Sequence, residues 1–176
     1  MIYALETDTN GIVVGSHVYP DGFTVPTGYI PCTKEQFGVA GTLQVVNGQI
    51  TESLQAAKTA QIALLKTGYQ TAINAPVTFK NAAGVTSTYP SGNTILITGD
   101  KAKSLLAETI AAGSAAWTLG KWLDTNDVAQ TFTFSDLQGL AAAMEAAVTV
   151  DWTDLVDKIA QVNAATTVSA VQAVTW

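Results

Sequence analysis

The side chains able to do chemistry are few, and their spacing limits them further. His17 is the only histidine, so any catalytic triad or cysteine–histidine pair would have to be built on it. It falls inside a run of strand-forming residues, which points to a half-buried structural role. Cys32 is the only cysteine, which excludes an internal disulfide and any multi-cysteine metal site. Glu6, Asp8, Asn10 and Gly11 match the opening spacing of a calcium loop, but the twelfth position is His17 where a glutamate is needed, and no flanking helices are expected. Turn formation accounts for them better. Asp151, Asp154 and Asp157 fall within a turn and a half of helix; without histidine or a second carboxylate cluster they read as a solvated face. No G-x-S-x-G elbow occurs, and Gly99-Asp100-Lys101 lacks the glycine-lysine-serine ending of a phosphate loop. No catalytic residue, metal ligand or cofactor is assigned on these grounds, and neither hydrolytic nor transferase activity is expected.

Charge narrows the partners. The net charge of −6 opposes a phosphate backbone, and all eight cations are lysine, so the guanidinium suited to bidentate phosphate or carboxylate clamps is missing. Nucleic acid is not an expected partner. Only 12% of the 176 residues are charged and about half are apolar, a globular composition with no apolar run long enough to cross a membrane. The opening residues lack the pattern of a secretory signal, so the mature chain is expected to begin at or near Met1 and to assemble in a reducing cytoplasm.

The elements that must position these groups can be read from periodicity. Residues 2–6 and 12–19 are rich in strand formers and flank Thr7-Asp8-Thr9-Asn10-Gly11, a hairpin signal. Residues 20–31 hold three prolines and read as an ordered loop packing aromatic rings. Residues 43–46 and 49–50 flank Asn47-Gly48, which closes a small N-terminal β unit over residues 1–50. A linking helix over residues 51–76 follows, with Thr51 or Ser53 as cap, Pro76 as stop, and Gly68 as a weak point. Residues 77–176 form the third part: a hairpin of 77–80 with 85–89, a short strand at 94–97, a helix over 100–112 ended by Gly113, and a hairpin of 117–123 with 128–134.

The longest regular pattern is Leu137, Leu140, Met144, Val148, Trp152, Leu155, Ile159 and Val162, one stripe of a helix over about residues 135–163. Ser135 and Gln138 have capping-box spacing at its start. The β-branched run Val148-Thr149-Val150 could break it at Asp151, although one long helix is favoured. A short helix capped by Thr166 or Thr167 then ends on Trp176, which is expected to be buried. The fold class is α+β, with hairpins packed on the long helix. One chain of this size need not cover both helical stripes, so Leu54, Ile62, Leu65 and Tyr69 on the linking helix and Trp152 on the long helix are interface candidates.

From about Phe79 the chain resembles a domain of unknown function that recurs at the C-termini of bacteriophage tail proteins. The resemblance is carried by the hairpin from Trp117 to Phe134, by Ser135-Asp136-Leu137-Gln138-Gly139-Leu140-Ala141, and above all by the ending Ala164-Ala165-Thr166-Thr167-Val168-Ser169-Ala170-Val171-Gln172-Ala173-Val174-Thr175-Trp176. Met1-Ile2-Tyr3-Ala4-Leu5, Pro26-Thr27-Gly28-Tyr29 and Val46-Asn47-Gly48-Gln49-Ile50 are similar to the start of phage tail-fibre and tail-fibre assembly proteins. The resemblance implies a fibre assembly chaperone that can stay attached to the fibre, or a structural component of the tail fibre or baseplate involved in host attachment. It implies a tail-fibre or baseplate protein as partner, a homo-oligomer with the trimer common among fibres, and a location in the host cytoplasm during assembly or in the virion tail. A polysaccharide-degrading enzyme is the contrasting class, and the repetitive β scaffold that such enzymes use is not seen in the sequence.

Overall fold

The computed structural model describes residues 1–96 and 101–176, and its fold is mixed α and β with small antiparallel sheets. The chain divides into two compact units, Met1–Leu65 with Lys158–Thr175 and Lys66–Asp157 with Trp176. This division differs from the expected one at residues 50 and 76. A helix of 31 residues, about 46 Å long at ~1.5 Å per residue, contributes residues to both units.

In the first unit, β1 (Ile2–Thr7), β2 (Val13–Tyr19) and β3 (Tyr29–Cys32) form an antiparallel sheet in the order β2-β1-β3. The central strand has both faces covered, since Ala4 and Leu5 are sealed. In the turn after β1, the Asp8 carboxylate accepts the Asn10 and Ile12 amides at 2.8 and 2.9 Å. β3 lies where a loop was expected. Its Pro31 is tolerated because the strand is an edge and the missing N–H is not needed there. Next comes α1 (Lys34–Gly38), which the sequence reading missed although Thr33 and Gln36 form a complete capping box. β4 (Leu43–Val46) and β5 (Gln49–Glu52) pair around Asn47 and Gly48, both at positive φ, as a two-residue primed turn requires.

The linking helix is α2 (Leu54–Ala72), capped by Ser53, whose hydroxyl accepts the Ala56 amide. Residues expected to open this helix, Thr51 and Glu52, instead extend β5. The last part of the chain also belongs to the first unit: Lys58 donates to the Asn163 carbonyl at 2.7 Å and Gln61 to the Val174 carbonyl at 2.6 Å.

The second unit contains β6 (Val77–Lys80), β7 (Thr86–Tyr89), α3 (Ala102–Ala112), β8 (Lys121–Leu123) and β9 (Ala129–Thr131). With them goes most of α4 (Phe134–Ala164), while α5 (Val168–Gln172), capped by Thr167, lies in the first unit. Tyr89, Leu106, Trp122, Phe132, Leu137, Leu140 and Met144 form the second unit's core, so the hairpins do pack on the long helix. That helix runs unbroken through Val148-Thr149-Val150.

Its start, however, is two residues earlier than Ser135 implied. Thr133 is the cap: its hydroxyl accepts the Asp136 amide at 3.1 Å, and the Asp136 carboxylate returns to the Thr133 amide at 2.7 Å. Asp136 also accepts the Ala82 amide at 2.7 Å, and this tertiary bond selects it over Gln138. The expected strand over 117–123 shrinks to β8, because Ser114 to Thr118 turn back on themselves and Gly120 takes a positive φ. The strand expected at 94–97 and the helix start expected at Asp100 fall partly on residues 97–100, outside the described residues. Ile95 makes one bridge with Lys101. Among the described residues no helix is long and apolar enough to cross a membrane.

Candidate interaction site

A cleft with a volume of about 400 Å³ is lined, among the described residues, by side chains of the second unit. Its lining includes Leu105 from α3, the rings of Trp117 and Trp122, and Ile95, Leu119 and Leu123 at the mouth. The rings are 6.2 Å apart and tilted by 51°, and Trp117 is anchored by its indole N–H, which donates to the Phe132 carbonyl at 3.0 Å. Trp122 belongs to the core, whereas Ile95 and Leu119 are 62% and 79% exposed. An apolar, concave surface ringed by a few polar groups is the usual form of a binding site.

Three consecutive residues, Lys121, Trp122 and Leu123, all line this cleft. Successive strand residues point to opposite faces, so a cavity touching all three lies along the edge of β8. The hydrogen bonds identify which edge. Phe132 donates to the Gly120 carbonyl and Asp124 to the Val128 carbonyl, so the even-numbered positions of β8 face β9. The main-chain groups of Lys121 and Leu123 therefore point away from β9, and no residue of β9 lines the cleft.

The rim carboxylate Asp124 is already spent. It accepts from the Ser87 hydroxyl at 2.8 Å, the Asn126 and Val128 amides at 2.9 and 3.0 Å, and the Gln130 amide group at 3.1 Å. These donors, the Ser87 hydroxyl foremost, lower its pKa from 3.8 to about 2. Four donors leave it no capacity to act as a base, so its work is to shape the hairpin loop. Lys121 at the start of β8 and Asp127 in the loop carry the remaining rim charges.

In the first unit His17 is half-exposed on β2, 3.0 Å from the Glu6 carboxylate and edge-on to Tyr29 at 4.9 Å. Tyr19 stacks on Phe23 at 5.0 Å, so the proline-rich stretch does pack aromatic rings. Cys32 pairs with Tyr3 across the sheet, on the face opposite His17. Among the described residues no three histidine, cysteine or acidic side chains converge.

The interface candidates differ in how much surface they expose. Leu65 is fully sealed within the chain, because the stripe of α2 turns inward at that point, and it has no surface to offer a partner. Leu54 and Ile62 are half-buried. Tyr69 lies edge-on to Trp152 at 5.8 Å and to Trp176 at 6.2 Å, while Trp152 keeps 54% of its surface exposed. Trp176 is 40% exposed, so it packs against the helix without being enclosed. The cleft itself was missed: its residues come from five stretches between Pro76 and Asp127, and only the exposed apolar pair Leu119 and Leu123 beside Lys121 hinted at it.

No protein-family model, curated protein or solved structure matches this chain.

Proposed function

We propose that the protein works by contact, as a bacteriophage tail-fibre-associated protein: a fibre assembly chaperone that can remain attached to the fibre. The sequence resemblance supports the phage setting. The observation that carries the contact reading is the exposure of large apolar side chains in both units. Val14 and Val18 stand out on β2, Leu119, Leu123 and Val128 on the β8–β9 hairpin and its approach, and Trp152 and Val156 on α4. Where such side chains adjoin in one patch they usually mark an interface. The two buried carboxylates, Asp124 and Asp136, are by contrast occupied by structural donors.

The alternative is a permanent structural component of the tail fibre or baseplate that takes part in host attachment, and the same exposed surfaces support it. A trimer or a threefold-bound cap is the assembly the fibre resemblance favours, with the host cytoplasm as the place of assembly. Co-expression with the neighbouring fibre protein, combined with mass spectrometry of purified particles, separates the two. Better fibre folding without the protein in the particle supports a released chaperone. Its presence in the particle supports a structural piece or a retained chaperone. Absence from the particle together with no effect on the fibre overturns both.

A further inference from the structure

The cleft beside β8 has the form of a missing strand. It follows a strand edge whose outward groups, at Lys121 and Leu123, have no partner among the described residues. Such an edge is a template for another chain, because only an extended main chain offers donors and acceptors at the matching spacing. The cleft also has an apolar floor where every second side chain of an added strand would point, and charges at its two ends. Lys121 opens β8 and has no carboxylate within ion-pair reach among the described residues, and Asp127 sits in the loop that follows the strand.

We propose that this cleft is a strand-addition site: an extended segment of a partner polypeptide pairs with the open edge of β8, sets an apolar side chain against Trp117 and Trp122, and places an acidic residue beside Lys121 and a basic one towards Asp127. The proposal shares with the function above only the idea that a polypeptide is bound. It does not require that polypeptide to be a fibre. Exposed Ile95 and Leu119 extend the apolar contact on either side of the added strand.

The test uses synthetic peptides of about six residues, alternating valine with threonine, with glutamate at one end and lysine at the other, made in both charge orders. Each is titrated calorimetrically into the full chain, beside a copy N-methylated at alternate residues so that its outward amide donors are gone. One charge order is expected to bind, and N-methylation to weaken it roughly tenfold or more. Leu123→Pro should weaken binding to a similar degree while leaving the hairpin intact, because the Leu123 N–H is not used by β9. Leu119→Asp, at an exposed position, serves if the proline variant does not fold. Equal affinity for methylated and unmethylated peptides overturns the proposal, as does the absence of binding by every peptide at about 1 mM. A fibre protein that binds Leu123→Pro as well as the parent also overturns strand addition, while leaving the proposed function standing.

Discussion

Replacing Gly68 with alanine sets two effects of known sign against each other. Gly68 lies inside α2, where alanine is the better helix former by about 1 kcal/mol. A Cβ at that position, however, would overlap the Trp176 indole and approach its Cβ to 2.7 Å and its Cδ2 to 2.9 Å. Because the overlap includes the root of the side chain, a ring flip does not relieve it, and Trp176 must move away. A large aromatic buries about 150–250 Å² when enclosed. With Trp176 at 40% exposure, roughly 90–150 Å² is covered, worth about 3 kcal/mol at ~25 cal/mol per Å². Gly68→Ala should therefore destabilise the parent by about 2 kcal/mol, an upper figure if the indole finds another resting place. In a Trp176→Gly background, which lacks the Cβ as well as the ring, the clash is gone and the same substitution should stabilise by about 1 kcal/mol. Urea unfolding of the four proteins measures the coupling directly, and about 3 kcal/mol is expected. If Gly68→Ala stabilises both backgrounds equally, Trp176 does not rest on α2 and the reasoning fails.

Asp136→Ala removes the acceptor that returns to the Thr133 amide at the start of α4 and leaves the Ala82 amide without its acceptor; a loss of about 2–3 kcal/mol in urea unfolding is expected, and Thr133→Ala should cost less, about 1 kcal/mol. Tyr89 is fully buried and its hydroxyl has no partner among the described residues, so Tyr89→Phe should be neutral or stabilise by about 1 kcal/mol, and a loss of that size would mean the hydroxyl is bonded. Acid stability follows from Asp124 and Asp136. For Asp136, burial raises the pKa and is outweighed by the Thr133 and Ala82 donors, which lower it. Asp124 is lowered to about 2. Depressed folded-state pKa values mean that the unfolded chain takes up protons first. Their stabilisation is thus complete above the ordinary carboxylate range and lost as pH falls from about 4 towards 2. Thermal melts over that window should fall steeply, and Asp124→Asn should flatten the slope.

The long helix was legible because eight large apolar residues kept one period over seven turns, a signal that local β-branching at Val148-Thr149-Val150 does not cancel. Its first residue was not. Ser135 with Gln138 and Thr133 with Asp136 have the same spacing, and the choice between them rests on the Ala82 amide, more than fifty residues away in the chain. The strand expected over 117–123 takes in Trp117 and Leu119 because their types favour strands, yet Gly120 at positive φ keeps β8 from reaching them. The inward turn of Leu65 was equally hidden, since a stripe shows which residues share a face and not which face is covered. The cleft is a tertiary object. No local pattern links Leu105, Trp117 and Leu123, and the open edge of β8 became visible only once its partner strand was known.

The central claim is that the protein acts by binding another chain, and its solution mass tests this most directly. Light scattering after size-exclusion chromatography should give a homo-oligomer or, on mixing with the neighbouring fibre protein, a complex heavier than either component. A monomer whose elution and mass are unchanged by the fibre protein, and whose co-expression leaves fibre yield unaltered, would contradict the claim.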